Sequence, residues 1–400
     1  MHIALFCQSL RSDRSRGNAH FLRGICRELM KRGHSVRVLA PHEPDADGPA
    51  SYLANHVEAS DPCRALTPDV ATGDVGPADV AAGGVATPDA DPTWDELSYA
   101  AETFEPGQHL DDVDLVIVNE ATAPAVIARV GAHRAATRRY RLFLHDAHHR
   151  SVTQPAEIAQ LDLRFYDGVL AFGESVRQRY LAFGWAERVW VWHEAADIDL
   201  FRPLPGIERT ADVIWIGNWA DGERAEDLHR FLLEPVQALD VSAHAFGAGH
   251  PLAVREDFDW FGVTYRGWAP HRCVPELFAR ARATLHIPRR PYVRDLPGVP
   301  TIRPFEALAC GIPLISAPWE DREGLFRAGQ DYLLAEDGDA VQRHLRDVLN
   351  DASLARTLAA SGRERMLARH TCAHRVDELL AIHRQLAQPR ATAASPPRDA

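Results

Sequence analysis

The sequence predicts an α/β fold built from two domains, each a parallel sheet with helices packed on it. The chain has 400 residues, more than one hydrophobic core of the usual size organises. In both halves, short apolar runs alternate with stretches of helical spacing, which is the pattern of repeated strand–helix–strand units. Hydrophobic residues make up 46% of the chain and charged residues 25%, which is ordinary for a globular enzyme.

Charge and cysteine usage exclude some classes of protein. The formal net charge is −12, which disfavours general binding to nucleic acid or to anionic membranes. The six cysteines are scattered without a C-x-x-C pair, so we expect reduced thiols. No signal peptide and no apolar run of about 18 residues is recognisable, so we expect a soluble cytoplasmic protein. Lys31 is the only lysine, which leaves arginine to bind any phosphate.

The N-terminal half is predicted to open with a strand–loop–helix–strand unit. Residues 2–7 are apolar, residues 19–32 have helical spacing, and residues 36–40 form a second apolar run. The first loop contains Gly17 and Asn18 but no G-x-G-x-x-G pattern, so a dinucleotide site is not predicted there.

A later strand of this half delivers the candidate catalytic residues. Apolar residues 141–144 predict a strand, and His145 and Asp146 follow it, with His148 and His149 close behind. In open parallel sheets ligands bind beyond the carboxyl ends of the strands, so this position suits a catalytic group. The histidines have two alternative interpretations, a metal cluster and a surface patch without a role.

The most informative stretch is residues 301–316, TIRPFEALACGIPLIS. Pro304 suits the first helical position, Glu306 then falls in the first turn, and Gly311 suits a left-handed helix end before a buried strand. Arg303 and Glu306 would form a polar mouth that holds phosphate and leaves the carboxylate for a sugar hydroxyl. The alternative is an ordinary capped helix.

Further polar residues follow two other predicted strands of this half. After residues 211–217 come backbone N–H groups and a guanidinium that can cradle a diphosphate, although the tryptophan there can equally serve in interdomain packing. Two adjacent arginines after residues 283–287 are further candidate phosphate ligands. The residues concerned are Gly217, Asn218, Trp219, Arg224, Arg289 and Arg290.

These motifs resemble a known family. FEALACGIP at 305–313 is similar to the donor-site signature of GT-B glycosyltransferases of family 4 type. WIGNW at 215–219, HIPRR at 286–290 and ISAPWEDREGLF at 315–326 are most similar to the spore-maturation branch of that group. The resemblance covers residues 213–386 well and the N-terminal half only loosely.

The resemblance implies two Rossmann-like domains that face each other across a cleft. In such proteins Glu306 is expected to bind the donor ribose, and Gly267 and Trp268 to lie against the nucleobase. Thr301 belongs to the same donor set, and the loop with Gly17 and Asn18 would face the cleft. The family often carries an earlier glutamate near the donor sugar; here that position is Gly298, so the sugar contacts must differ and the stereochemical outcome stays open.

The domain organisation follows from the same reading. We expect an N-terminal acceptor-side domain at 1–203, a C-terminal donor domain at 204–372, and a helix at 373–388 that crosses back to the N-terminal domain. A segment rich in Pro, Asp, Gly and Ala at 62–92 is predicted to be a mobile insertion, and residues 389–400 a disordered tail.

The sequence thus predicts a metal-independent glycosyltransferase that moves a sugar from a nucleotide-activated donor to an acceptor hydroxyl. His145, with Asp146 beside it, would act as a base toward the acceptor or hydrogen-bond the sugar. No cofactor is expected besides the nucleotide sugar. Two Asp-Ala-Asp triplets, at 45–47 and 89–91, resemble a metal-binding motif of another glycosyltransferase fold but lie in acidic, proline-rich sequence. The alternatives are a nucleotide-sugar epimerase and an inactive nucleotide-sugar-binding structural protein; the base, the sugar, the acceptor and the oligomeric state stay open.

Overall fold

The computed structural model describes residues 1–10, 19–42, 94–219 and 222–387. The loop residues Gly17 and Asn18, the insertion at 62–92, both Asp-Ala-Asp triplets and the tail at 389–400 lie outside these residues. The described residues form two separate parallel sheets, each with its own helices.

The N-terminal sheet has seven described strands. Its elements are β1 (His2–Phe6), α1 (Ala19–Lys31), β2 (Ser35–Pro41), β3 (Asp95–Tyr99), α2 (Gly107–Leu110), β4 (Leu115–Asn119), α3 (Pro124–Thr137), β5 (Arg141–Asp146), α4 (Arg150–Thr153), α5 (Pro155–Ala159), β6 (Gly168–Ala171), α6 (Glu174–Ala182) and β7 (Val189–Val191). The strands run in the order β3-β2-β1-β4-β5-β6-β7, all parallel. Their order reverses direction between β1 and β4, and the crevice at such a point is where α/β sheets bind ligands.

The C-terminal sheet has six described strands. Its elements are β8 (Ala211–Ile216), α7 (Ala225–Leu228), a π-helical turn (His229–Leu233), α8 (Glu234–Leu239), β9 (Ala243–Phe246), α9 (Leu252–Trp260), β10 (Val263–Tyr265), a 3₁₀ turn (His271–Cys273), α10 (Val274–Ala279), β11 (Ala281–His286), α11 (Arg290–Arg294), α12 (Ile302–Cys310), β12 (Leu314–Ser316), β13 (Leu333–Leu334), α13 (Gly338–Asn350), α14 (Ala352–Arg369) and α15 (Cys372–Ala387). The strand order is β10-β9-β8-β11-β12-β13, again parallel.

The last helix returns to the N-terminal domain, as the resemblance implies. Trp192 Nε1 donates to the carbonyl oxygen of Arg375 at 2.8 Å, and Arg32, directly after α1, donates to that of Ala373 at 2.9 Å. Trp192 and Val376 are fully buried. Apolar burial and these bonds hold α15 against α1, so the C-terminal end of the chain ties the two domains together. The boundary predicted at 203/204 stays a prediction.

Helix α12 begins earlier than predicted. Its N-cap is Thr301 and its first residue Ile302, so Pro304 is the third helical residue and Glu306 the fifth. The helix dipole favours a carboxylate most within the first turn, and Glu306 lies beyond that turn. The predicted end is correct, because Gly311 has φ 68° and closes the helix in the left-handed region.

Four of the described cysteines are free and buried, as expected: Cys7, Cys26, Cys310 and Cys372. Cys273 departs from the expectation, because it is disulfide-bonded. Among the residues that the structure describes, no helix combines the length and the hydrophobicity that a membrane span requires.

Candidate active site

A cavity of about 330 Å³ lies where the carboxyl ends of the two sheets face each other. Its volume suits a small-molecule site. The polar residues of its N-terminal wall are Gln8, Asn119, Glu120 and His148, and those of its C-terminal wall are Asn218, Arg224, His286, Arg289, Tyr292, Thr301 and Arg303. Residues predicted separately from four places in the sequence thus meet in one cleft.

Three arginines make the C-terminal wall cationic. Burial, together with repulsion from Arg289 and Arg303, lowers the pKa of Arg224 to about 10. Arg224 donates to the backbone oxygen of Asn218 at 3.1 Å, and its Nε is buried without an acceptor among the described residues. Arg289 pairs with Glu223 at 2.6 Å. A buried guanidinium with an unused donor beside two further cations is an environment that favours an anion.

The loop after β8 brings Arg224 to this wall. A side chain at Gly217 would place its Cβ 2.6 Å from the Trp215 ring and 2.7 Å from Arg224 Nη1, so glycine is required for this packing. The N–H of Gly217 donates to Phe246 O at 2.8 Å. This N–H is therefore not free to bind a ligand, so the backbone groups that were predicted to bind a diphosphate lack it as a donor.

Apart from Glu306, four predicted donor-site residues are not part of the cavity wall. Trp268 is 41% exposed, and the carbonyl of its neighbour Gly267 accepts a hydrogen bond from Gly247 N at 2.9 Å. Arg290 forms an ion pair with Glu226 at 2.6 Å. Trp219 also lies outside the wall, and its ring is 5.9 Å from that of His250 in the same domain, so the alternative of interdomain packing stays a prediction.

A histidine of the HIPRR motif was not predicted as a site residue. His286 ends β11 and bridges Ser316 Oγ, 2.8 Å from Nδ1, and Thr301 Oγ1, 2.9 Å from Nε2. Burial, with repulsion from Arg224 and Arg303, lowers its pKa to about 3. It is thus a neutral ring that fixes Thr301 in the wall, and its place at the end of a buried strand was the signal that could have identified it.

Glu306 lies behind the wall and not in it. Its carboxylate is fully buried, hydrogen-bonds Arg303, and has Oε1 3.2 Å from His20 Nδ1 of the N-terminal domain. Burial raises the pKa of Glu306 to about 7, with Arg303 acting in the opposite direction. Of the mouth predicted from Arg303 and Glu306, only Arg303 lines the cavity, whereas the Glu306 carboxylate lies behind it beside that guanidinium and the His20 imidazole.

One group of described residues has metal-ligating atoms close together. Ligand atoms of His20, His271 and Glu306 lie within 4.8 Å of one another, and all three residues are buried. Two imidazoles and a carboxylate suit zinc. Arg303 competes for the same carboxylate, however, so this arrangement serves an interdomain ion pair at least as well, and metal independence stays a prediction.

The N-terminal wall has a carboxyl group that was not predicted. Glu120 follows β4 directly, and its N–H donates to His145 O at 3.0 Å. Glu120 is 4% exposed, and its Oε2 has no hydrogen-bond partner among the described residues. Burial, and next the charge of Asp146, raise its pKa to about 8. Like His145, Glu120 follows a buried strand directly, and this position could have identified it as a candidate site residue from the sequence.

The predicted catalytic residues, His145 and Asp146, lie behind the residues that line the cavity. His145 is 1% exposed, its ring packs against those of Phe21 and Trp192 at 5.9 and 5.0 Å, and burial lowers its pKa to about 3. Asp146 is fully buried and accepts bonds from Tyr180 Oη at 2.8 Å and from the N–H of His148 at 3.1 Å. Neither residue lines the cavity, whereas His148 does.

Gly298 has a conformation that explains the missing glutamate position. Its φ is 92° and a Cβ there would lie 3.3 Å from Arg322 Cβ, so a longer residue would be strained. The adjacent residues Leu296 and Val299 pack in the core of the N-terminal domain. This loop packs against the opposite domain, and none of its residues before Thr301 lines the cavity.

The fold is shared with solved structures. A sucrose-phosphate synthase from Thermosynechococcus elongatus superposes with a TM-score of 0.64 at 15% identity, over 96% of this chain and 99% of that one. Anabaena HepE in complex with UDP-glucose gives 0.62 at 15% identity, over 96% and 100%. An alpha-glucosyltransferase in complex with UDP gives 0.65 at 11% identity, over 96% and 100%. The chain has the GT-B fold.

In this GT-B chain the C-terminal domain also matches a sequence family. The family described as "Glycosyl transferase-like" matches residues 224–381, which include Arg224, Arg289, Arg303 and Glu306. No curated protein sequence matches the chain. The cavity described above is the cleft between the two GT-B domains.

Proposed function

We propose that the protein is a glycosyltransferase that takes a sugar from a nucleoside diphosphate donor and transfers it to an acceptor hydroxyl. The observation that carries the proposal is the group of three arginines in the C-terminal wall, of which Arg224 has a buried, unused donor. A diphosphate matches this wall in charge and in its demand for several planar N–H donors. The complexes of solved neighbours with UDP and UDP-glucose support the same ligand class.

The proposed reaction separates the two substrates between the domains. The diphosphate would lie against Arg224, Arg289 and Arg303, where cations stabilise the negative charge that develops on the leaving group. The acceptor would enter from the side of Glu120 and His148. Because three guanidinium groups supply the positive charge, we propose that the transfer needs no metal ion.

We further propose that donor binding releases Glu306. Arg303 belongs to the wall and is also the hydrogen-bond partner of Glu306. A phosphate group competes for that guanidinium, and the freed carboxylate can then accept hydrogen bonds from the ribose hydroxyls. The spore-maturation branch is the subgroup that we propose within the GT-B glycosyltransferases, on the motifs at 215–219, 286–290 and 315–326.

A nucleotide-sugar epimerase is the second candidate. Such an enzyme needs an acid–base carboxyl group in the cleft, and Glu120 provides one. The two functions are separated by incubating the donor without an acceptor and analysing the sugar that remains on the nucleotide. A changed sugar configuration would indicate the epimerase, and an unchanged one would exclude it.

A thermal-shift panel of UDP, GDP, dTDP and ADP sugars tests the proposal. A ligand held at 100 times its dissociation constant adds about 2.7 kcal/mol to the free energy of unfolding, so at least one donor should raise the melting temperature by several degrees. Arg224→Gln should abolish the shift, and Arg290→Gln, outside the wall, should keep it. If no nucleotide sugar shifts the wild type at millimolar concentration, the proposed function is wrong.

A further inference from the structure

A group of three potential metal ligands lies behind the cavity, where the two domains meet. His20 is the second residue of α1, His271 begins the 3₁₀ turn, and Glu306 lies on α12. One ligand therefore comes from the N-terminal domain and two come from the C-terminal domain. All three residues are buried, one ligand atom of each lies within 4.8 Å of the others, and none of the three lines the cavity.

The separations within this group suit a tetrahedral metal ion. Zinc binds nitrogen and oxygen ligands at about 2.0–2.2 Å, which places two ligands of one ion about 3.3 Å apart. Nδ1 of His20 and Oε1 of Glu306 are already 3.2 Å apart, and the rings of His20 and His271 have centres 5.4 Å apart. The remaining separations, at most 4.8 Å, shorten to this value with a small rotation of the side chains.

One oxygen of the Glu306 carboxylate faces this group. Arg303 donates to Oε2, whereas Oε1 is buried and makes no hydrogen bond within the part of the chain that the structure describes. A buried carboxylate oxygen without a donor is destabilising, and a cation between it and the imidazoles offsets that loss. Arg303 would then hold the second oxygen, as the outer partners of ligating carboxylates do.

The packing around His20 fixes its ring close to the cleft. The Phe201 ring lies 4.8 Å from that of His20, and both residues are fully buried. Ala19, next to His20, lines the cavity, and so does Arg303, the partner of Glu306. The group is therefore held in apolar surroundings, one side chain away from the cleft through which an ion would enter.

We propose that His20, His271 and Glu306 bind one zinc ion, which joins the two domains when no donor is bound. Water supplies the fourth ligand, and the ion takes no part in the transfer of the sugar. Zinc and the donor exclude each other, because the same Glu306 carboxylate accepts the ribose hydroxyls. This exclusion rests on the proposed function, whereas the zinc site itself does not.

Calorimetric titration of the donor-free protein with zinc chloride tests the site. The chain has 20 histidines and six cysteines, so weak zinc binding elsewhere calls for a matched control. His271→Gln removes one ligand, and His229→Gln removes a partly exposed histidine 3.6 Å from Asp257. The wild type and His229→Gln should bind one zinc ion with a dissociation constant of about 1 µM or lower. His271→Gln should bind it about 100-fold more weakly, since even loss of an outer partner costs about 10- to 100-fold.

Cobalt in place of zinc reports the geometry of the site. Co²⁺ should give the intense visible absorption of a four-coordinate ion in the wild type and in His229→Gln, and this absorption should be lost in His271→Gln. If His271→Gln does not fold, His20→Gln replaces it. An octahedral cobalt spectrum in the wild type, or equal zinc affinity in the wild type and the ligand variant, would show an ion pair only and overturn the site.

A second titration tests the exclusion. Free zinc held at ten times its dissociation constant should weaken binding of the nucleoside diphosphate to the wild type by about tenfold. It should leave binding to His271→Gln unchanged, because zinc bound by the nucleotide in solution is the same for both proteins. A zinc site with unchanged nucleotide affinity overturns the exclusion. A wild type that binds zinc at this site but binds no nucleotide overturns the proposed function and supports the zinc site alone.

Discussion

The two walls of the cavity are built from equivalent places in two similar sheets, yet their electrostatics are opposite. Arg224 and Arg289 lie past the ends of β8 and β11, and the Arg224 pKa is lowered by burial and then by repulsion from the neighbouring cations. Glu120 and Asp146 lie at the ends of β4 and β5, where burial raises both carboxyl pKa values, to about 8 and about 6. The two sheets thus present equivalent strand ends, and the residues at those ends decide which wall binds an anion and which binds a neutral hydroxyl.

The difference predicts that the two walls change the free energy of unfolding with pH in opposite directions. A raised acid pKa, as at Glu120, stabilises the folded state at low pH, and a lowered base pKa, as at Arg224, stabilises it at high pH. The pKa of Glu120 is raised from 4.5 to about 8 in the folded protein, so the folded state binds its proton more tightly than the unfolded state. Its stabilising contribution is therefore fully present below about pH 4.5 and is lost as the pH rises to about 8.

Glu120→Gln should remove this dependence. Between pH 5 and pH 8 the variant should lose less free energy of unfolding than the wild type, by an amount on the order of 3 kcal/mol. Urea unfolding at several pH values measures the difference, and Glu208→Gln, at an exposed glutamate, provides the control. Parallel pH curves for the wild type and Glu120→Gln would mean that Glu120 is not a buried acid.

In the N-terminal domain, His145 behind the wall and His148 in it should differ in the kind of damage that their loss causes. His145 is packed between Phe21 and Trp192, so His145→Ala leaves a cavity in the core and should lower the free energy of unfolding by about 2–3 kcal/mol. His148→Ala should change stability little and lower turnover, because His148 lines the cavity. Chemical denaturation and rate measurements on both variants check this; a stable, inactive His145→Ala would restore His145 as a catalytic residue.

Within the C-terminal wall, two neighbouring arginines offer a matched pair. Arg289 lines the cavity, whereas Arg290 pairs with Glu226 and Asp227 outside it. Charged hydrogen bonds contribute about 1.5–3 kcal/mol, so Arg289→Gln should weaken binding of the nucleoside diphosphate by roughly 10- to 150-fold. Arg290→Gln should change it less than about threefold, as calorimetric titration would show. Equal losses would mean that this cavity is not the diphosphate site.

The parts that could be predicted from sequence are those that local physics decides. The left-handed Gly311 and the buried strand runs follow from patterns within a few residues, whereas the crossing of the final helix was implied by the family resemblance. Strand β3 was not predicted, because its sequence DELSY has the polarity of a sheet edge rather than of a core strand. The start of α12 was predicted two residues late, because Pro304 is also accommodated inside the first turn.

The parts that could not be predicted depend on which residues meet in space. Both His145 and Glu120 lie at strand ends, but only His145 was predicted as a site residue, and its packing against Trp192 removes it from the wall. Glu306 is likewise held by His20, which lies in the other domain and 286 positions away in the sequence. Sequence patterns locate the loops of such a site, and the closure of the two domains decides which side chains face the ligand.

The central claim is that the arginine wall binds a diphosphate. The most direct test is calorimetric titration of the wild type with the nucleoside diphosphate of the best donor and with the corresponding nucleoside. We expect the diphosphate to bind at least about 100-fold more tightly, since two charged hydrogen bonds contribute about 3 kcal/mol or more, and the advantage to fall to within about tenfold in Arg224→Gln. A nucleoside that binds the wild type within about threefold of its diphosphate would contradict the claim.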